Sequence, residues 1–272
     1  MSAKLMGQVA RSLLFVPGDR PDRFHKAAVS GANEVILDLE DAVAPAAKAQ
    51  ARDAVATWLA AGKRAVVRIN AADTDWYADD MAMVRTLSGA TVMLPKADAE
   101  SAARTVEMLS GRPIVALLET ACAFMGLERL AATAGVARIA FGSVDFCADT
   151  GIVDEGDALT AVRTQIVLAS RGAGLAAPID GVSVEFTDVA RMEQDALRSR
   201  RLGFGGKLCI HPRQVAAIHA AFKPSPQERE WAARVLAVFD ASHGAATALD
   251  GKMIDKPVVE RARQIVLEAD AA

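Results

Sequence analysis

Eight short apolar runs rich in Val, Ile and Leu, alternating with stretches of helical spacing, constrain this chain more than any other feature. They fall at Leu13–Pro17, Glu34–Glu40, Ala65–Asn70, Thr91–Lys96, Ile114–Thr120, Arg138–Ser143, Ile179–Val184 and Lys207–His211. Each is too short and too β-branched to prefer a helix, so each reads as a strand of a parallel sheet buried on both faces. Parallel pairing requires long crossovers. The segments Pro45–Ala61, Ala99–Leu109, Ala158–Gly172 and Asp188–Gly203 are long enough to supply them as helices. Eight such units in 272 residues predict an α/β fold, a closed (β/α)8 TIM barrel, over an open doubly wound sheet. The barrel is assigned to residues 1–225. Residues 226–272 then form an extra C-terminal helical segment, a lid belonging to the same functional unit. It contains a helix at Pro226–Phe239, a Gly/Ala/Ser-rich stretch at Ala241–Gly251 and a last helix from Pro257.

Composition narrows the function classes. With 52% hydrophobic and 24% charged residues the chain has both a core and a wet exterior. Its formal charge of −3 and scattered Lys and Arg give no field for a polyanion, so no nucleic acid partner is expected. No apolar run approaches the roughly 18 residues of a membrane span, and the N-terminus lacks the order of a signal peptide. A cytoplasmic protein with no membrane partner is expected. Cys122, Cys147 and Cys209 are widely spaced without a C-x-x-C pair, and read as small core residues in a reducing compartment. No H-E-x-x-H motif or Cys/His cluster marks a zinc site. Gly203–Lys207 looks like a phosphate loop, but it follows a helix and opens a strand, the reverse of what that loop needs, and reads as a helix stop. Trp58, Trp76 and Trp231 fall in helical segments and read as packing anchors.

In a barrel of this kind, active sites lie at the C-terminal ends of the strands. Here those ends are charged: Gly18-Asp19-Arg20, Asp38-Leu39-Glu40-Asp41, Arg68 and Asn70, Lys96, Glu119-Thr120, Ser143 and Asp145, and His211. So many charges facing one mouth would repel or desolvate one another without a ligand. A metal relieves that. Glu119 and Asp145 form the best ligand pair for Mg²⁺, which takes one or two carboxylates and fills its other positions with water and substrate oxygens. A chelating 2-oxo acid suits those positions. Lys96 has a rival reading as a Schiff-base lysine, though surrounding carboxylates would raise its pKa rather than lower it.

The chain resembles the citrate lyase β-subunit family, including its free-standing acyl-CoA lyase members, within the Mg²⁺-dependent HpcH/HpaI-type barrel aldolases. The resemblance rests on Arg11–Gly18, Leu37–Val43, Val67–Asn70, Leu94–Lys96, Leu118–Thr120, Phe141–Phe146, Asp180–Val182, Gly206–Pro212 and Gly251–Asp255. It implies Mg²⁺ on Glu119 and Asp145, an oxo acid on Arg68, and acidic residues Glu40 and Asp41 lining the site. Lys96 and Arg20 are further substrate-binding candidates, with Arg20, Arg23 or Lys26 near the phosphates of coenzyme A. It also implies a homotrimer in which Asp255 completes a neighbour's site. The implied reaction is cleavage of a citramalyl-, malyl- or citryl-CoA type of 3-hydroxy acyl-CoA into an acyl-CoA and a 2-oxo acid. A malate-synthase-like activity, an aldolase on free aldehydes and a carrier-protein-dependent subunit are the alternatives. One departure concerns substrate: many β-subunits carry Glu where this chain has Val144.

Overall fold

A computed structural model describes residues 10–153, 156–243 and 245–270. Eight parallel strands close on themselves in sequence order: β1 (Ser12–Pro17), β2 (Glu34–Asp38), β3 (Ala65–Arg68), β4 (Ala90–Leu94), β5 (Ile114–Leu118), β6 (Val136–Phe141), β7 (Ile179–Asp180) and β8 (Gly206–Cys209). Closure comes from β8 returning to β1, with Leu13 opposite Leu208 and Leu14 opposite Cys209. The helices outside are α1 (Pro21–Ala28), α2 (Lys48–Ala60), α3 (Tyr77–Thr86), α4 (Ala99–Met108), α5 (Ala121–Met125), α6 (Leu127–Ala132), α7 (Ser143–Thr150), α8 (Thr160–Gly172), α9 (Val189–Leu202) and α10 (Arg213–Phe222). No helix among the described residues is long and apolar enough to cross a membrane.

Local chemistry sets where these elements start and stop. The Asp98 and Ser101 side chains form a reciprocal capping box at the start of α4. The Asp188 side chain accepts from Arg191 N to open α9, and Gly203 closes it in the left-handed region at φ 99°. The glycine run is therefore the helix stop the sequence predicts, and Gly206-Lys207 continues as strand. All eight expected strands are present, but every predicted run after the first overshoots its strand's C-terminal end. β7 is the extreme case, two residues where Ile179–Val184 was expected. Asp180 Oδ1 takes the N–H of Gly181 and Lys207 Nζ takes its carbonyl, so side chains capture the groups that would extend the ladder.

The barrel interior is filled by Leu13, Ile36, Val66, Met93, Val115, Leu117, Ala140, Ile179 and Leu208, drawn from every strand. Neighbouring positions face outward. Asp180 and Lys207 do so toward α8 and α9, in a fully buried ionic group in which Arg163 Nε lies 2.9 Å from Asp180 Oδ1 and Lys207 Nζ 3.7 Å from Oδ2. Cys209 is buried as expected, its thiol pushed up to about 12 by burial. Cys122 is exposed and Cys147 half-buried, a correction to their reading as core residues: they sit on the short helices α5 and α7 at the mouth, where little packs over them.

The chain divides into two compact units, one running to His219 and the other starting at Ala220. The second contains α11 (Pro226–Ala241), a hairpin of β9 (Thr247–Leu249) and β10 (Lys252–Ile254), and α12 (Lys256–Asp270). Ser225 and Glu228 cap α11 reciprocally, with Pro226 at its first position. Its own core joins Ala232, Val235, Ile254, Val259, Ala262 and Ile265. The hairpin begins within the Gly/Ala/Ser-rich stretch and runs past its end, turning at Asp250-Gly251 with both φ positive, as a two-residue turn requires.

Candidate active site

Side-chain alternation decides what the mouth is made of. Leu13, Ile36, Val66 and Leu117 point into the barrel, so Phe15, Asp38, Arg68 and Glu119, each two residues on, point the same way one layer higher. On β6 and β7 the equivalent positions after Ala140 and Ile179 are Gly142 and Gly181. Charged side chains therefore crowd one half of the mouth, while the other half offers bare backbone.

Arg68 organises the charged half. Its Nε and Nη2 donate to Asp38 Oδ1 and Oδ2 at 2.7 and 2.6 Å, a bidentate pair that fixes the guanidinium plane. Nη1 is left reaching into the mouth, 2.9 Å from Glu40 Oε2 and 3.9 Å from Glu119 Oε1. The Phe15 ring lies beneath it, 4.8 Å from the guanidinium carbon. Burial opposes the arginine's charge, but Asp38, Glu40 and Glu119 together hold its pKa above the ordinary value.

Glu40 follows β2, and Lys96 Nζ donates to its Oε1 at 2.7 Å. Burial lifts the Glu40 carboxyl above the usual range against the pull of Arg68 and Lys96. Lys96, with its side chain 41% exposed, is opposed by burial, yet Glu40 holds it above its ordinary value. That is the reverse of what a Schiff-base lysine requires. Its backbone is in the left-handed region at φ 48°, uncommon outside glycine, and its N–H donates to Glu119 Oε2 at 2.7 Å.

Burial, the charge of Glu40 and then that of Asp145 push the Glu119 carboxyl up to about 8, against Arg68 and the Lys96 N–H. Asp145, in the first turn of α7, is partly exposed. These two carboxylates fit a divalent cation. A positive charge there would return Glu119 to its ionised form, and Mg²⁺ needs no more than two protein carboxylates. Among the described residues no group of three or more His, Cys, Asp or Glu side chains is placed to hold a metal ion. Room for the Glu119 carboxylate depends on Gly142, since a Cβ at that position would stand 2.7 Å from Oε1 and closer still to Cγ.

The remaining predicted residues are placed differently. Asp41 is exposed beside Glu40 and adds to the negative charge felt there. Arg20 is exposed at the start of α1, where Nε and Nη2 bond Asp22 at 3.1 and 3.2 Å. His211 stacks on Phe186, centroids 4.8 Å apart, and its Nδ1 accepts from Arg213 N. Asp255 belongs to the second unit, where Oδ1 accepts from Val258 N at 3.4 Å at the start of α12. Sequence reasoning missed Lys48, which is buried and bonded to the backbone around Glu40. A lysine in a helical stretch reads as solvated, and nothing in its neighbours signals otherwise.

The family model described as HpcH/HpaI aldolase/citrate lyase matches residues 11–212, three-quarters of the chain and the whole of this mouth. The chain belongs to the HpcH/HpaI aldolase/citrate lyase family. It is 38% identical to a citrate lyase subunit beta-like protein of Mycobacterium tuberculosis over 95% of both chains. It is 34% identical to a (3S)-malyl-CoA thioesterase of Cereibacter sphaeroides, over 96% of this chain and 95% of that one. Among solved structures it resembles Mycobacterium tuberculosis CitE in complex with magnesium, acetoacetate and coenzyme A. The TM-score is 0.86 at 35% identity, with 97% of this chain and 99% of that one covered. This family membership agrees with the barrel and with the resemblance read from the motifs.

Proposed function

We infer that the protein is a Mg²⁺-dependent carbon–carbon lyase that splits a 3-hydroxy acyl-CoA into a shorter acyl-CoA and a 2-oxo acid. The observation that carries this reading is Arg68 Nη1 held between Glu40 and Glu119, with Asp145 and Lys96 beside them. Support comes from the CitE relative, which holds magnesium, a small oxo acid and coenzyme A together.

Cleavage breaks the bond between the hydroxyl-bearing carbon and the carbon beside the thioester carbonyl. The hydroxyl loses its proton and becomes the carbonyl of the oxo acid. The bonding electrons pass to the thioester as an enolate, and a returning proton completes the acyl-CoA. Glu119 and Asp145 would hold Mg²⁺, which as a Lewis acid makes the hydroxyl more acidic. Arg68 presents to the substrate carboxylate and to developing negative charge the one arm that Asp38 leaves free. Glu40, its carboxyl lifted above the ordinary value by burial, is the group assigned to take and return the proton. Lys96 and Arg20 are assigned to substrate anions, and Asp41 to the acidic lining. On the family resemblance Asp255 acts from a neighbouring chain of a trimer, which the solution mass of the pure protein tests.

A second reading is favoured by the relatives named (3S)-malyl-CoA thioesterase. There water attacks the thioester carbonyl, and free coenzyme A leaves with the hydroxy acid intact. Citramalyl-, malyl- and citryl-CoA incubated with the pure protein and Mg²⁺, then with excess EDTA, separate the two. Acetyl-CoA with a 2-oxo acid, formed only with Mg²⁺, supports the lyase. Free coenzyme A with the hydroxy acid supports the thioesterase, and turnover that survives EDTA overturns the metal assignment.

A further inference from the structure

A chain of buried polar contacts ties the ends of β2 and β3 to α2 and α3. Lys48, at the start of α2, is 6% exposed. Its ammonium donates three hydrogen bonds, to the carbonyls of Leu39 and Glu40 at 2.6 and 2.7 Å and to Asn70 Oδ1 at 2.7 Å. Asn70 in turn donates its N–H and Nδ2 to Asp80 Oδ2, and Arg52 Nε donates to Asp80 Oδ1. The Trp76 ring covers the ammonium, 5.1 Å from its centroid.

All three ammonium protons go to neutral oxygens, so Lys48 is not half of a direct salt bridge. Burying an ammonium is costly, although Asp38, Glu40, Asp80 and Asp41 offset part of the cost through their charge. What the cost secures is specific. The carbonyls of Leu39 and Glu40 belong to the two peptide planes that flank the Glu40 Cα. The N–H of Glu40 is held as well, by Asp38 Oδ1 at 3.0 Å. With those groups fixed, the direction of the Glu40 side chain is set from the backbone.

We propose that Lys48 is a positioning residue that acts through Glu40, locking both flanking peptide planes so that the carboxylate stays between Arg68 and Lys96. This rests on the reading of the mouth as the active site. Lys48 forms no ion pair with a side chain of the mouth, and its hydrogen bonds there reach only the backbone of Leu39 and Glu40, so its effect on turnover passes through Glu40.

A double-mutant cycle on the full chain tests it, using Lys48→Met, Glu40→Gln and the pair, with whichever CoA thioester the wild type cleaves in Mg²⁺. Lys48→Met is expected to lower kcat by about 10- to 100-fold, the scale of a sub-ångström to ångström misplacement. KM stays within about twofold, and the double variant is no slower than Glu40→Gln alone, because residues acting as a unit are not additive. Losses that multiply in the double variant, or an unchanged kcat, overturn the proposal. If Lys48→Met does not fold, Lys48→Gln, which is uncharged and keeps two N–H donors on a shorter side chain, enters the same cycle under the same criteria. Amide hydrogen exchange supplies a readout independent of turnover: Lys48→Met should speed exchange by about tenfold or more at Glu40 and at Ala42, whose N–H groups donate to Asp38 Oδ1 and Oδ2 at 3.0 and 3.3 Å. Wild-type rates there overturn the positioning role. A wild type that cleaves no thioester, with that exchange response intact, overturns only the assigned reaction.

Discussion

Replacing Gly142 with Ala isolates the placement of one carboxylate from every other property of the mouth. Gly142 has φ −84° and ψ 75°, which alanine adopts without strain, so the added methyl acts through contact alone. That methyl would stand 2.7 Å from Glu119 Oε1, where ordinary contact begins at 3.4 Å. The tighter contact, 2.4 Å to Cγ, sets the retreat of the Glu119 side chain at about 1.0 Å, since such overlap is not tolerated. A misplacement near 1 Å costs about 10²-fold in rate, so kcat/KM should fall about 30- to 100-fold, or about 2–3 kcal/mol of transition-state stabilisation. Mg²⁺ affinity, read by isothermal titration calorimetry, should weaken together with kcat/KM, while the circular dichroism spectrum stays that of the barrel. Gly172→Ala is the control, because an added Cβ there meets nothing within 4 Å. Wild-type turnover and Mg²⁺ affinity in Gly142→Ala would refute the placement of Glu119 as the metal carboxylate.

Glu119→Gln and Asp145→Asn should each abolish measurable Mg²⁺ binding and lower turnover by about 10³-fold or more, a folded barrel being confirmed by its melting transition. In the metal-free protein Glu119 titrates at about 8, against 4.5 for the free side chain, so the native state keeps a proton that the unfolded chain releases earlier. Its contribution to stability is full below pH 4.5 and lost as pH rises toward 8, by about 1.4 kcal/mol per pH unit at most. Urea midpoints in EDTA should therefore fall across that window more steeply than those of Glu119→Gln; parallel curves would contradict the shift. Arg163→Met leaves the buried Asp180 without one of its cations, and should destabilise the barrel by about 3–5 kcal/mol. Because that pair faces away from the mouth, KM of the folded variant should stay at the wild-type value, and a raised KM would show that the two regions are coupled.

The barrel was legible because short apolar runs, most of them with β-branched residues, alternate with helical stretches, a pattern with few other solutions. Glu40, Arg68, Lys96 and Glu119 were legible for a related reason: charge at the end of an apolar strand has nowhere to go but the rim. The bidentate grip of Asp38 on Arg68 was not, since alternation tells only which way a side chain points and not which neighbour it meets. Lys48 was invisible because a helix surface looks alike in sequence whether it faces water or a strand end. β7 read as six residues because Val182 and Val184 continue the apolar run, whereas tertiary contacts of Asp180 and Lys207 end the ladder sooner. The hairpin of the C-terminal unit had its Asp-Gly turn in plain view, but strands of three residues carry too short a pattern to stand out.

The brevity of β7 gives the ring a seam. It pairs with β6 at a single position, Ala140 with Ile179, and with β8 at two, while β1 and β2 share five. The buried group of Arg163, Asp180, Ser199 and Lys207 clasps the wall from outside where the ladder is thinnest. Glu40, Arg68, Lys96, Glu119 and Asp145 all stand at or just beyond the ends of β2 to β6, which remain one continuous curved sheet if the clasp lets go. The strands that carry these five are joined to one another by ladders that do not pass through β7.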